Sequence, residues 1–280
     1  MTELLEKFST PAKLEENKEE CPFCPGDKKG YKTYAGVENC SKLLKRIMKN
    51  PEKLLDLQPG CEPKQGDAKP QPLHNKKPNK REAFCDDGSY GYYSYQAHHL
   101  ISGNQIMKGH EIEDWIRKSP ANEIEEDTGY SINNSDNGLW LPSMPRCFYS
   151  KKRPRNWIDL SDDEKLEIAE KPMLAGEGQF HLGSHNIVDQ DDIEEKHSRS
   201  YVKVGKKELK KICDYVLLWK QSCYLCNTGQ NNGPPYKPPY KVNKYLDHAS
   251  QELERGLLRP IAQWDFFVSD LALRCKKRHT

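Results

Sequence analysis

Residues 89–101, SYGYYSYQAHHLI, carry the fold decision in this chain. The run is aromatic and β-prone, so it predicts a strand that ends on the adjacent pair His98 and His99. Neighbouring side chains on a strand point to opposite faces unless a bend brings both to one place. A hydrolytic metal site has a use for such a pair, because one imidazole can ligate an ion while its neighbour deprotonates the attacking water. Alone, the pair fits two core or surface histidines as well.

Working outward, residues 130–142 (YSINNSDNGLWLP) predict a turn, then a second strand stopped by Pro142. Apolar Leu43, Leu44, Ile47 and Met48 recur at helical spacing within 40–57, with Pro51 opening a second short helix. Residues 1–20 read as a short helix or loose leader, and 58–82 and 227–241 as loops rich in Pro, Asn, Gln, Gly or Lys. Two short acidic helices are expected near 110–118 and 120–127. Ser161 with Glu164 forms a capping-box pattern for a helix at 162–170. Residues 205–220 form the best amphipathic helix, with Leu209, Ile212, Val216 and Trp219 on one face. A further helix is expected at 243–258, then an apolar terminal element at 261–275 whose type the pattern leaves open.

The chain has 280 residues, enough to bury a real core, yet only 35% are hydrophobic and 31% are charged. A mean hydropathy of −0.95 therefore points to a loop-rich domain held partly by something other than apolar burial. No stretch approaches 18 consecutive apolar residues, which excludes a membrane-spanning helix. The first 20 residues lack the apolar core of a secretory signal, so export is expected to use a route that does not read one. Net charge is only +2, but basic residues gather at 151–155, 203–211 and 274–278, where they could neutralise phosphates or simply form solvated faces. Acidic residues gather at 111–127 and 189–195.

Of ten cysteines, four form Cys21-Pro-Phe-Cys24 and Cys223-Tyr-Leu-Cys226. Each Cys-x-x-Cys gives a zinc ion two thiolates from one tight turn, and two such turns complete a tetrahedral site. A shared structural Zn²⁺ would tie the beginning of the chain to its far end and add folding free energy directly. A redox motif would need a strand–motif–helix context, and neither knuckle has it.

The order Ala97-His98-His99, then Asn137-Gly138-x-x-Leu141-Pro142, then His181-x-Gly-x-His185, resembles the AHH family, a branch of the His-Asn-His (ββα-metal) nucleases found among bacterial toxins. The likeness covers about residues 90–217. It implies His98 as a metal ligand, His99 as general base, and Asn137 bracing the loop between the strands and orienting His99. The third element is split: His181 and His185 match its first half, His197 and Tyr201 its second, with acidic residues between. His181 and His197 are the favoured ligand candidates, with His185 third. The resemblance implies a catalytic divalent ion, Mg²⁺ or another, and a nucleic-acid substrate, DNA before RNA.

The expected fold is α+β: a small ββα-metal, HNH-like core embedded in helical and loop additions, with the zinc-knuckle pair pinning the ends. Residues 1–85 form an N-terminal helical and knuckle region, 86–222 the nuclease core, and 223–280 the second knuckle with C-terminal helices, together one compact unit. By the same likeness the protein is an antibacterial toxin made in the bacterial cytoplasm without a signal peptide. The same resemblance implies delivery by a contact-dependent system such as type VI secretion into the cytoplasm of a target cell. A cognate immunity protein and a secretion carrier or adaptor are the expected partners. The rival class is a non-catalytic, zinc-organised nucleic-acid-binding or interaction module, which gives the His-His pair and Asn137 no task. A zinc peptidase or deaminase lacks its signature, since Glu111 follows His110 but Asp114 stands where a second His would be needed.

Overall fold

The computed structural model describes residues 21–23, 44, 48, 81–84, 90–122, 124–143, 148–149, 154–155, 157–182, 200–222 and 236–280. They combine helices with a small antiparallel sheet. Strand β2 (Tyr90–His99) is its centre: β1 (Arg81–Phe84) pairs antiparallel with its first half, and β3 (Gly138–Ser143) with its second. Two short strands, β4 (Phe148–Tyr149) and β5 (Pro154–Arg155), extend the sheet from Tyr90 and Gly91. β1 begins inside the segment read as loop, at Arg81, because Tyr90–Tyr93 offer it a strand edge.

β3 is buried at all six positions and separates two apolar clusters. Leu139 and Leu141 belong to one and Trp140 to the other, as the two-residue strand period requires. The first cluster takes Trp115 from the short helix α1 (Glu113–Ile116) and the apolar faces of α3 (Tyr201–Ser222) and α4 (Val242–Leu258). The second takes Leu44 and Met48, with α2 (Asp162–Leu174) and α5 (Asp270–His279).

Local signals placed α2. Ser161 Oγ accepts from Glu164 N at 3.2 Å, while Ser161 N donates to Glu164 Oε2 at 2.7 Å, closing the capping box. α3 starts four residues before the expected Gly205, and that glycine sits inside the helix because α3 presses on the π-helical turn Gly103–Met107. A Cβ at 205 would come within 2.5 Å of the Ile106 side chain. The apolar terminus resolves into a 3₁₀ turn, Ile261–Gln263, and α5, whose N-cap Ser269 accepts from Ala272 N.

The acidic helices are the departure. Only Glu113–Ile116 is helical, and 120–127 forms no helix among its described residues. Instead, Asn122 Nδ2 donates to the carbonyls of Glu113 and Arg117, and the Asp127 carboxylate accepts from Lys118 N at 2.6 Å. With Ile124 its one large apolar residue, this stretch had no face to bury, and side-chain groups took the backbone partners a helix needs.

Cys21 is fully buried, and its neighbour Phe23 packs edge-on to Trp115 at 5.9 Å and against Tyr236 at 6.5 Å. Lys220, near the end of α3, sets its ammonium over the same Trp115 and Tyr236 rings. Cys24, Cys223 and Cys226 lie outside the described residues, as do most of 40–57 and all of 1–20.

Candidate active site

β2 and β3 run antiparallel with His98 opposite Leu139 and His99 opposite Gly138, so both histidines reach the end of the ladder where β3 begins. The Asn134 side chain accepts from Asn137 N at 2.8 Å, capping the 3₁₀ turn Ser135–Asn137 that leads into β3. Asn137 itself is completely buried and fully used. Its Oδ1 accepts from Ile101 N at 2.6 Å and Ser250 Oγ at 2.9 Å; its Nδ2 donates to the carbonyls of Ile101 at 2.9 Å and Ile132 at 2.8 Å. Its own carbonyl accepts from Leu100 N at 2.9 Å. One side chain thus locks the segment after His99 to the loop before β3 and to α4.

The ring of His99 is bonded elsewhere. Its Nε2 lies 3.0 Å from Asn133 Oδ1, and both residues are buried. Asn133 was not singled out by the sequence. Its one signal was the polar doublet Asn133-Asn134 immediately before the turn, which reads as turn chemistry alone.

His181 arrives from the other side of β3. Its N–H donates to Pro142 O at 2.8 Å and its carbonyl accepts from Ser143 Oγ at 3.0 Å, so its backbone is hung on the end of the strand. That attachment sets its ring 4.9 Å, centroid to centroid, from the ring of His98. Tyr201, the first residue of α3, completes the cluster: its ring is 5.3 Å from that of His98, and its hydroxyl donates to Leu100 O at 2.6 Å. The structure therefore brings the rings of His98, His99 and His181 together beside β3, with Asn137 at the turn that leads into it. His185 and His197 fall outside the described residues.

Burial sets the electrostatics. His181 is lowered to about 4, first by desolvation and then by the nearby His99; His99 is lowered by desolvation, which its bond to Asn133 partly offsets. Both rings are therefore neutral at pH 7. A linkage follows for metal-free protein. Between pH 6.5 and 4 the unfolded chain binds a proton that folded His181 refuses, so stability falls as pH drops through that window. At about 1.4 kcal/mol per pK unit the loss reaches roughly 2–3 kcal/mol. Urea midpoints at pH 7 and pH 4.5 measure it, and His181→Gln should flatten the difference. An unchanged difference in that variant would count against a buried neutral His181.

A second donor group lies on the far side, where Glu170 of α2 meets Cys275 and His279 of α5 with ligand atoms within 4.8 Å of one another. There Arg278 Nη1 already contacts both Glu170 oxygens at 3.3 and 3.5 Å, and His279 Nε2 lies 3.5 Å from Oε1. The carboxylate is thus neutralised by the chain itself.

Residues 79–216, just under half of the chain, match the model of AHH, a nuclease family of the HNH/ENDO VII superfamily with conserved AHH. No curated protein and no solved structure matches the chain. The matched segment contains β1 to β3, the candidate site and most of α3. Over that segment the chain is similar to the AHH nucleases, and a nuclease is the activity this likeness supports.

Proposed function

We propose that the protein is a metal-dependent endonuclease that hydrolyses phosphodiester bonds, DNA before RNA, at the His98–His99–His181 cluster. The observation that carries this reading is the contact between the buried rings of His98 and His181, the latter neutral at pH 7, with His99 beside them. Those donors fit a divalent ion, Mg²⁺ in our reading, with His98 and His181 as protein ligands and His185 and His197 as further candidates. When bound, such an ion polarises the scissile phosphate and neutralises charge on the leaving oxygen.

His99 is the general base. An amide oxygen can only accept, so the bond to Asn133 Oδ1 puts the proton of neutral His99 on Nε2 and leaves Nδ1 to take a proton from water. Asn133 is the group that orients this ring, while Asn137 keeps the strands at the distance the cluster needs. Tyr201 closes the floor behind His98. On this reading β2, β3 and α3 form a ββα-metal core, and one apolar cluster containing Phe23, Leu139, Val216 and Leu253 supports the three regions as one unit.

Structural Zn²⁺ at Cys21, Cys24, Cys223 and Cys226 belongs to the same proposal. It is supported by the burial of Cys21 and by Phe23 packing on Tyr236 beside Lys220, three residues before Cys223. The biological setting we infer from the resemblance is an antibacterial toxin, made in the producing cytoplasm and delivered by a contact-dependent route through a carrier or adaptor. A cognate immunity protein would restrain it. No helix among the described residues is long and apolar enough to cross a membrane.

Plasmid DNA incubated with purified protein tests the activity. Nicking or linearisation is expected with Mg²⁺, with at least about a hundredfold loss after EDTA. Intact DNA and intact RNA in Mg²⁺, Mn²⁺, Co²⁺ and Zn²⁺ would sink the reading and return the binding module to first place.

A further inference from the structure

The basic strip 203–211 does not act as one surface. Lys210 is held by Glu111 at 2.8 Å and Asp214 at 2.9 Å, and Lys211 by Glu208 at 2.6 Å. Among the described residues no ion pair engages Lys203 or Lys207, which lie one helical turn apart near the start of α3. Both line a groove of about 550 Å³ whose opposite wall is α4 and the segment after it. From that wall comes a third cation, Arg259, which forms no ion pair among the described residues.

The acids lining the groove do not cancel these charges. Glu208 is paired with Lys211, and Glu252 with Arg255 at 2.6 Å and His248 at 3.5 Å, all from outside the lining. Among the described residues Asp265 is the one lining acid without an ion-pair partner, set against three cations. Phe266 forms the floor, lying across Gly256 because a Cβ there would come within 2.3 Å of its ring. The same Phe266 ring is 5.7 Å from that of Tyr201, which in turn touches His98. The groove therefore begins two side-chain contacts from the candidate metal centre. Its α4 wall, Arg259 and Phe266 all lie outside residues 79–216, so the family likeness does not contain it.

We propose that this groove is a phosphate-tracking subsite, in which Lys203, Lys207 and Arg259 clamp the nucleic-acid backbone beside the scissile phosphate. It deepens the nuclease reading and rests on it for the identity of the ligand. Three convergent cations at fixed spacing neutralise successive backbone phosphates without reading bases, so they set affinity and register rather than sequence preference. The clamp joins α3 of the matched segment to the carboxy-terminal helices, which gives those helices a task in substrate binding.

The test measures fluorescence anisotropy of a labelled 20-base-pair DNA duplex, and of the same sequence as RNA, over a series of NaCl concentrations. Full-length His99→Ala protein serves as the parent so that the probe survives. Lys203→Gln, Lys207→Gln and Arg259→Gln should each weaken binding about fivefold, and each should flatten the slope of log affinity against log salt by about one. The triple variant should lose about a hundredfold, whereas Lys171→Gln, exposed on α2, should bind as the parent does. All four positions are exposed, so folding is expected to be unaffected and circular dichroism checks it. Parental affinity and slope in the triple variant would overturn the proposal, as would no binding by the parent at low salt; an acidic protein partner would then be the better occupant. Cleavage by the wild type is read separately: intact DNA with a working clamp removes the nuclease reading and leaves the subsite, and cleavage with an indifferent triple variant does the reverse.

Discussion

His99→Ala is expected to lower the rate of DNA cleavage by about 10²- to 10⁴-fold, the range by which a positioned general base accelerates proton transfer. On the proposed role of His99 as base, its buried ring is tied to Asn133 through Nε2, so the function lost would be proton abstraction at Nδ1 rather than substrate contact. KM, and the affinity of the uncleaved duplex, should therefore change little while kcat collapses. Burial lowers the pKa of His99 below 6.5, and on the proposed role the neutral ring would be the active one. Wild-type kcat should accordingly stay level from pH 8 down past 6.5 and fall only with further acidification. Adding imidazole to the His99→Ala protein should restore part of the rate. An alanine variant that is folded by circular dichroism and still cuts within threefold of wild type would remove His99 from the mechanism.

Asn137→Ala is the second large effect, and it falls on stability. The substitution strands a buried N–H, two buried carbonyls and the Ser250 hydroxyl, each costing about 1–3 kcal/mol when left unpaired. Taken at the low end of that range, because relaxation and entering water re-pair some of the groups, the total is about 4–5 kcal/mol, a large fraction of the stability of an ordinary domain. Asn137→Asp is nearly isosteric and should be comparably harmful, because it turns a donor pair into an acceptor facing two carbonyls and buries a charge. That comparison separates hydrogen bonding from cavity formation. Asn133→Ala supplies the contrast: its bond reaches the His99 ring, so kcat should fall about tenfold while stability moves by about 1 kcal/mol. Urea denaturation alongside steady-state kinetics reads both. An Asn137→Ala protein within 1 kcal/mol of wild type would show that the strand junction does not depend on this side chain.

The sequence by itself determined the elements whose signals are local. The aromatic run ending in His98-His99 required a strand, the Ser161–Glu164 box started a helix, and the apolar stripe Leu209–Trp219 built another. In each, backbone geometry and side-chain period agree within a few residues, so no distant partner is needed to read them. The acidic stretch 120–127 misled for the opposite reason: its propensity favoured a helix, and nothing in the chain gave that helix a face to bury.

Tertiary structure alone decided who touches whom at the site. The Ala-His-His pattern marked the histidines, but their spacing could not show that His181 would hang on the end of β3 against His98. Nor could it show that Asn133, rather than Asn137, would take the ring of His99. The same limit applies to charge. Six lysines between 200 and 220 look alike in the sequence, and only packing showed that Lys210 is spent on Glu111 while Lys203 and Lys207 enter no ion pair among the described residues. Hydrogen bonds and ion pairs act over a few ångströms in space, and the bonds His99–Asn133 and Asn137–Ser250 join residues 34 and 113 positions apart along the chain.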